Sequence, residues 1–131
     1  MKQIFRNEYF TALVDEGTGI VRNIRSDKPF TSMRDLEVSF EGLIKALDDL
    51  SRARYALLID IRAAPGRNDP QFEAALQRFR LRWIGGFRKA GVLVQSAVGL
   101  LQVKRYAKQD GVTRLVTDDE SELMRYLTET D

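Results

Sequence analysis

Apolar positions along the chain follow two rhythms, and the place where one gives way to the other organises the rest. Tyr55–Ile61, YALLIDI, is a short apolar run with a single charge, Asp60, near its end. A run this apolar fits a strand covered on both faces, as in a parallel sheet flanked by helices. RAAPGRNDP follows, a loop by its Pro, Gly and Asn, with Asp69 placed as a helix N-cap and Pro70 at the first helical position. Phe72, Leu76, Phe79, Trp83 and Phe87 then recur at steps of three and four, the face of a helix. Strand, loop and helix make half of a βαβ unit, whose working end is the loop at the carboxyl end of the strand.

The same reading extends in both directions. Ile4–Val14 carries the bulk of a first strand, Glu16-Gly17-Thr18-Gly19 is a turn, and Ile20–Ile24 alternates as a second strand, giving an antiparallel hairpin. Ser32, with Asp35 three residues on, caps a helix whose inner face is Leu36, Phe40, Leu43, Ile44, Leu47 and Leu50. Beyond the central helix, Gly85-Gly86 and Gly91 interrupt helicity, and Gly91–Val94 is a strand. Ala97–Gln109 returns to helical spacing and ends at Gly111, and Thr113–Val116 is a last strand. A final helix follows, with Thr117 and Glu120 at capping-box spacing and Leu123, Met124 and Leu127 packing it down. The order β-β-α-β-α-β-α-β-α predicts an α/β domain spanning residues 1–131, its mostly parallel five-stranded sheet packed by helices.

Composition narrows the chemistry. With 44% hydrophobic and 31% charged residues the 131-residue chain is globular rather than disordered. No apolar run approaches the roughly 20 residues that cross a bilayer, and MKQIFRNEYF lacks the apolar core of a signal peptide, so a cytoplasmic location is expected. The chain has no Cys and no His. That removes disulfides, thiolate metal sites and every Ser-His or Cys-His arrangement, and it turns expectation away from enzymes. Neither a metal nor a cofactor is expected. A carboxylate-based enzyme built on Asp60 with Arg62 stays as a lesser alternative.

Charge is uneven although the net value is only +2. Residues 51–110 hold 12 Lys and Arg against 4 Asp and Glu, whereas residues 111–131 hold 2 against 6. The basic excess therefore surrounds the central loop and helix, where a local positive field suits an anion or an acidic partner. Candidate partner- or ligand-binding residues are Arg62, Arg67, Asn68 and Asp69 in the loop, and Arg78 and Arg82 one turn apart on the helix. Backbone N–H groups at Gln71 and Phe72 offer an anion site, with Asp69 itself as the competing occupant. Walker-type and GxGxxG patterns are missing, which speaks against nucleotides. The aromatics fall on the inward stripe, which disfavours nucleic acid. Asp118, Asp119, Glu120 and Glu122 read as helix capping rather than metal ligation.

Three stretches, ALLIDIRAAPGRNDPQFE, FRKAGVLVQSA and TRLVTDDESELMRYL, together with the element order, resemble the STAS domain of anti-sigma-factor antagonists and more closely its SpoIIAA-like branch. In the antagonists, a phosphorylatable Ser starts the helix after the third strand. The corresponding segment here, Arg62–Asp69, contains neither Ser nor Thr. The resemblance therefore implies a bacterial signalling or regulatory module that binds a protein partner, or a second copy as a homodimer, without kinase control. The branch is also similar in fold to lipid-carrier domains, which implies a small-molecule or lipid ligand in an apolar pocket as the alternative.

Overall fold

The computed structural model describes residues 1–67 and 69–129. Six strands and four α-helices follow one another: β1 (Lys2–Arg6), β2 (Phe10–Asp15), β3 (Ile20–Arg25), α1 (Met33–Asp48), β4 (Ala56–Asp60), α2 (Pro70–Ile84), β5 (Lys89–Leu93), α3 (Ala97–Asp110), β6 (Leu115–Thr117) and α4 (Glu120–Thr128). The strands lie in one sheet in sequence order, β1 to β6. The β1-β2 and β2-β3 pairs are antiparallel, and every later pair is parallel. β4 is the central strand expected from YALLIDI, buried along its whole length.

Successive parallel strands all step the same way across the sheet, so right-handed crossovers bring α1, α2 and α3 to one face. Strand alternation shows the consequence. Leu57 and Ile59 of β4 join the large core under those helices, whereas Ala56 and Leu58 join a smaller one with Leu123 and Leu127 of α4. Gly91 makes room on that second face: a Cβ there would stand 2.2 Å from Cδ1 of the buried Leu123, so glycine lets α4 lie close to the sheet.

Two local expectations are corrected. Ile4–Val14 is not one strand but two. Asn7 Oδ1 accepts from the N–H groups of Tyr9 (2.9 Å) and Phe10 (2.8 Å), an Asx turn that reverses the chain and adds a sixth strand to the predicted five. The cap of α4 is Asp119 rather than Thr117, which still belongs to β6. Asp119 accepts from Glu122 N at 3.1 Å, while Thr117 Oγ1 receives Asp119 N. The other caps stand as read: Ser32 on α1, Asp69 with Pro70 on α2, and Gly111 in the left-handed conformation (φ 72°) closing α3.

Candidate functional site

Between the sheet and the three-helix layer lies a cavity of about 650 Å³. Its apolar wall includes Phe10 from β2, Phe40 from α1, Trp83 from α2, Ile59 from β4, Val94 after β5 and Val103 from α3. The aromatic part is closely packed: Phe40 stacks on Phe79 at 5.4 Å between centroids, and Phe10 and Phe40 both meet Trp83 edge-on. α3 closes the cavity lightly. Only Val103 and Tyr106 of its 14 residues are buried, while Val98 and Leu101 stay 77% and 68% exposed.

The loop at the carboxyl end of β4 forms the rim and carries three of the predicted residues, Arg62, Arg67 and Asp69. Asp60, 7% exposed, accepts from the backbone N–H, Nε and Nη2 of Arg62 at 2.8–3.1 Å. Burial pushes the Asp60 carboxyl up, but those hydrogen bonds and the Arg62 charge outweigh it and hold it below its ordinary value. Arg62 also reaches Glu120 at 3.1 Å, so its fork is turned toward α4. Arg67 donates from Nε to Asp69 at 2.5 Å and covers the Phe72 ring at 5.2 Å. Asp69 in turn accepts from Phe72 N at 3.0 Å. The helix-start N–H at Phe72 is thus occupied by the cap, as the sequence led one to expect. Asn68 lies outside the described residues.

Arg78 and Arg82 are not part of the rim. They stand on the outer side of α2 and pair with α1, Arg78 with Glu37 at 3.2 Å and Arg82 with Glu41 at 3.0 Å. The basic helix and the acidic first helix are therefore partners within the chain. Phe79 and Trp83, each following one of these arginines in sequence, are buried. Among the acids at the start of α4, Asp119 caps and Glu120 pairs with Arg22 and Arg62. Among the described residues no three acidic side chains converge as a metal site, and no helix is long and apolar enough to cross a membrane.

Sequence reasoning missed the charged groups inside the cavity wall. At the amino end of the parallel strands, Asp110 is shared by two guanidinium groups: Oδ2 accepts from Arg80 Nε at 2.7 Å and Oδ1 accepts from Arg114 Nη2. All three side chains are at most 5% exposed. Burial acts to raise the Asp110 carboxyl, yet the bonds from Arg114, the Val112 N–H and Arg80 hold it below its usual range. At the opposite, carboxyl end, Arg25 closes β3. It is 7% exposed and has no carboxylate partner among the described residues. Nη1 donates to Ser26 O at 2.8 Å, and the guanidinium lies over the rings of Phe30 (4.3 Å), Tyr9 (5.5 Å) and Phe10 (5.7 Å). Burial pulls its pKa down to about 10.

The signals were faint. Arg25 continues the inward alternation of Val21 and Asn23 one step past the expected strand end, and Arg80 sits beside Leu76 and Trp83 in helical angle. Beneath the cavity wall, Asn23 Oδ1 takes the Trp83 indole N–H at 2.8 Å, while its buried Nδ2 has no acceptor among the described residues.

An α/β sheet with this order, three helices on one face and a single acid-capped helix on the other, defines the SpoIIAA-like fold. The chain superposes on a solved structure described as an uncharacterised protein of the DUF3478 family with a SpoIIAA-like fold, from Shewanella loihica PV-4. The TM-score is 0.66 at 13% identity, over 94% of this chain and 98% of that one, a likeness of fold. No family model matches the sequence, and no curated protein matches it either.

Proposed function

We propose that this SpoIIAA-like chain is a non-catalytic binding module that takes a small, largely apolar ligand into the cavity under α1, α2 and α3. The observation carrying this reading is the roughly 650 Å³ cavity itself, within the range of small-molecule sites and lined mostly by apolar side chains. The rim supports a binding rather than a catalytic role. Asp60, the acid an enzyme reading would use, is held as a carboxylate by Arg62, and no His or Cys is present to act as base or nucleophile.

The test uses Trp83, the single tryptophan and part of the cavity wall. Titration with 1-octanol should give a saturable change in its emission, weakened by the cavity-filling change Val103→Phe. Emission that drifts linearly to the solubility limit, with no difference between the two proteins, would overturn the reading.

A second reading, docking of a protein that includes a second copy of the chain, is favoured by Val98 and Leu101, two exposed apolar residues on α3 next to the rim. Light scattering would show a dimer that Leu101→Asp dissociates. A monomer at high concentration would remove the homodimer.

A further inference from the structure

The cavity wall is mostly apolar, yet one of its cations has no anion among the described residues. Arg25 is buried, lines the cavity, and meets no carboxylate among the described residues. A buried guanidinium is ordinarily paired, because taking its charge out of water is costly. Arg80 and Arg114 in the same wall obey that rule through Asp110. Arg25 has only partial compensation. Three aromatic faces surround it, Ser26 takes Nη1, and Nε and Nη2 have no acceptor within hydrogen-bond distance among the described residues. Its charge is retained at neutral pH, since burial lowers its pKa only to about 10.

We infer that Arg25 is the head-group site of the cavity, and that the ligand is a single-chain amphiphile with a carboxylate or phosphate at one end. Both head groups match the two-pronged donor edge of a guanidinium. The placement in the fold sets the direction. Arg25 stands at the carboxyl end of β3, beside the loop that forms the rim, while the Arg80–Asp110–Arg114 cluster closes the amino end. The head therefore rests at the rim, and the chain runs inward past Phe40 and Trp83 toward Val103. Ser26 holds Nη1 away from the ligand and fixes the plane of the guanidinium, leaving the other edge for the anion. This inference rests on the apolar-cavity reading above and adds the charge and orientation of what fills it.

Calorimetric titration of the whole chain with octanoate, octyl phosphate and 1-octanol separates the two claims. Wild type should bind at least one of the two anions roughly tenfold to a hundredfold more tightly than octanol, the worth of a desolvated charge-assisted contact. Whichever anion is preferred names the head group. Arg25→Gln should abolish that preference while octanol still binds saturably, which also shows that the variant folds. Should Arg25→Gln not fold, Arg25→Lys is read in its place. It keeps the charge without the planar fork and should reduce the preference without erasing it. Equal affinity for anions and octanol in wild type would overturn the head-group assignment and leave the cavity reading standing. So would a preference undiminished in both variants. Failure of all three compounds to bind wild type would overturn both.

Discussion

The two ends of one cavity treat buried arginine in opposite ways. At the amino end Arg80 and Arg114 converge on Asp110, whose two oxygens and neighbouring backbone satisfy them. At the carboxyl end Arg25 has aromatic faces and a backbone carbonyl, but no acid among the described residues. The first arrangement is complete within the chain and behaves as structure. The second is incomplete, in the way a site built for an external anion is incomplete. Residue type and burial are the same at both ends, so the presence or absence of a carboxylate is what separates a structural arginine from a binding one.

The largest effect expected from breaking this contrast comes at the closed end. Asp110→Asn leaves two buried cations facing a neutral amide and should cost roughly 3–5 kcal/mol in urea unfolding. A loss below about 1 kcal/mol would mean that the cluster is hydrated and the contrast false. Acid should act in the same direction. Asp60 and Asp110 are held below their ordinary values, so their contribution is present above the unfolded value of about 3.9 and is lost as pH falls through their lower folded values. Urea midpoints measured from pH 6 downward should therefore fall below about pH 4, and less steeply in Asp110→Asn.

The open end should respond more weakly and with the opposite sign. A guanidinium held at about 10 carries on the order of 3 kcal/mol of burial penalty. Against it stand stacking on aromatic rings, about 1 kcal/mol, and a hydrogen bond of similar worth. Arg25→Met, of matching bulk, should therefore raise the stability of the unliganded protein by roughly 1 kcal/mol at neutral pH. Because the Arg25 pKa is lowered on folding, this penalty is present below pH 10 and lifts as pH rises through 10. The advantage of Arg25→Met should shrink over that range in paired urea titrations. Smallest of all are the outer pairs. Arg78→Ala and Arg82→Ala remove exposed partners of Glu37 and Glu41 and should change stability by less than about 1 kcal/mol each.

The frame of this contrast was legible in the sequence and its charges were not. YALLIDI, Asp69-Pro70 and the steps from Phe72 to Trp83 gave the central strand, its loop and the wall of α2, because hydrophobic period and capping are local properties. Arg62, Arg67 and Asp69 were found at the rim for the same reason. Arg78 and Arg82 were read as an outward basic surface, since nothing local shows that α1 would lie alongside with Glu37 and Glu41. Arg80 and Arg114 are paired by a residue 30 positions from the first and 4 from the second, a meeting that only the crossover through β5 and α3 brings about. Arg25 required knowing that β3 runs one residue past Ile24. The split of β1 from β2 hung on one side chain, Asn7, with no Gly or Pro to mark the turn.

The most direct measurement is a crystal structure of the protein saturated with whichever of octanoate and octyl phosphate it binds more tightly. The account predicts the head group within hydrogen-bond distance of the Arg25 guanidinium, its chain directed inward past Trp83 toward Val103. A head group seated instead against Arg80 and Arg114, or a cavity that holds neither anion at saturation, would contradict it.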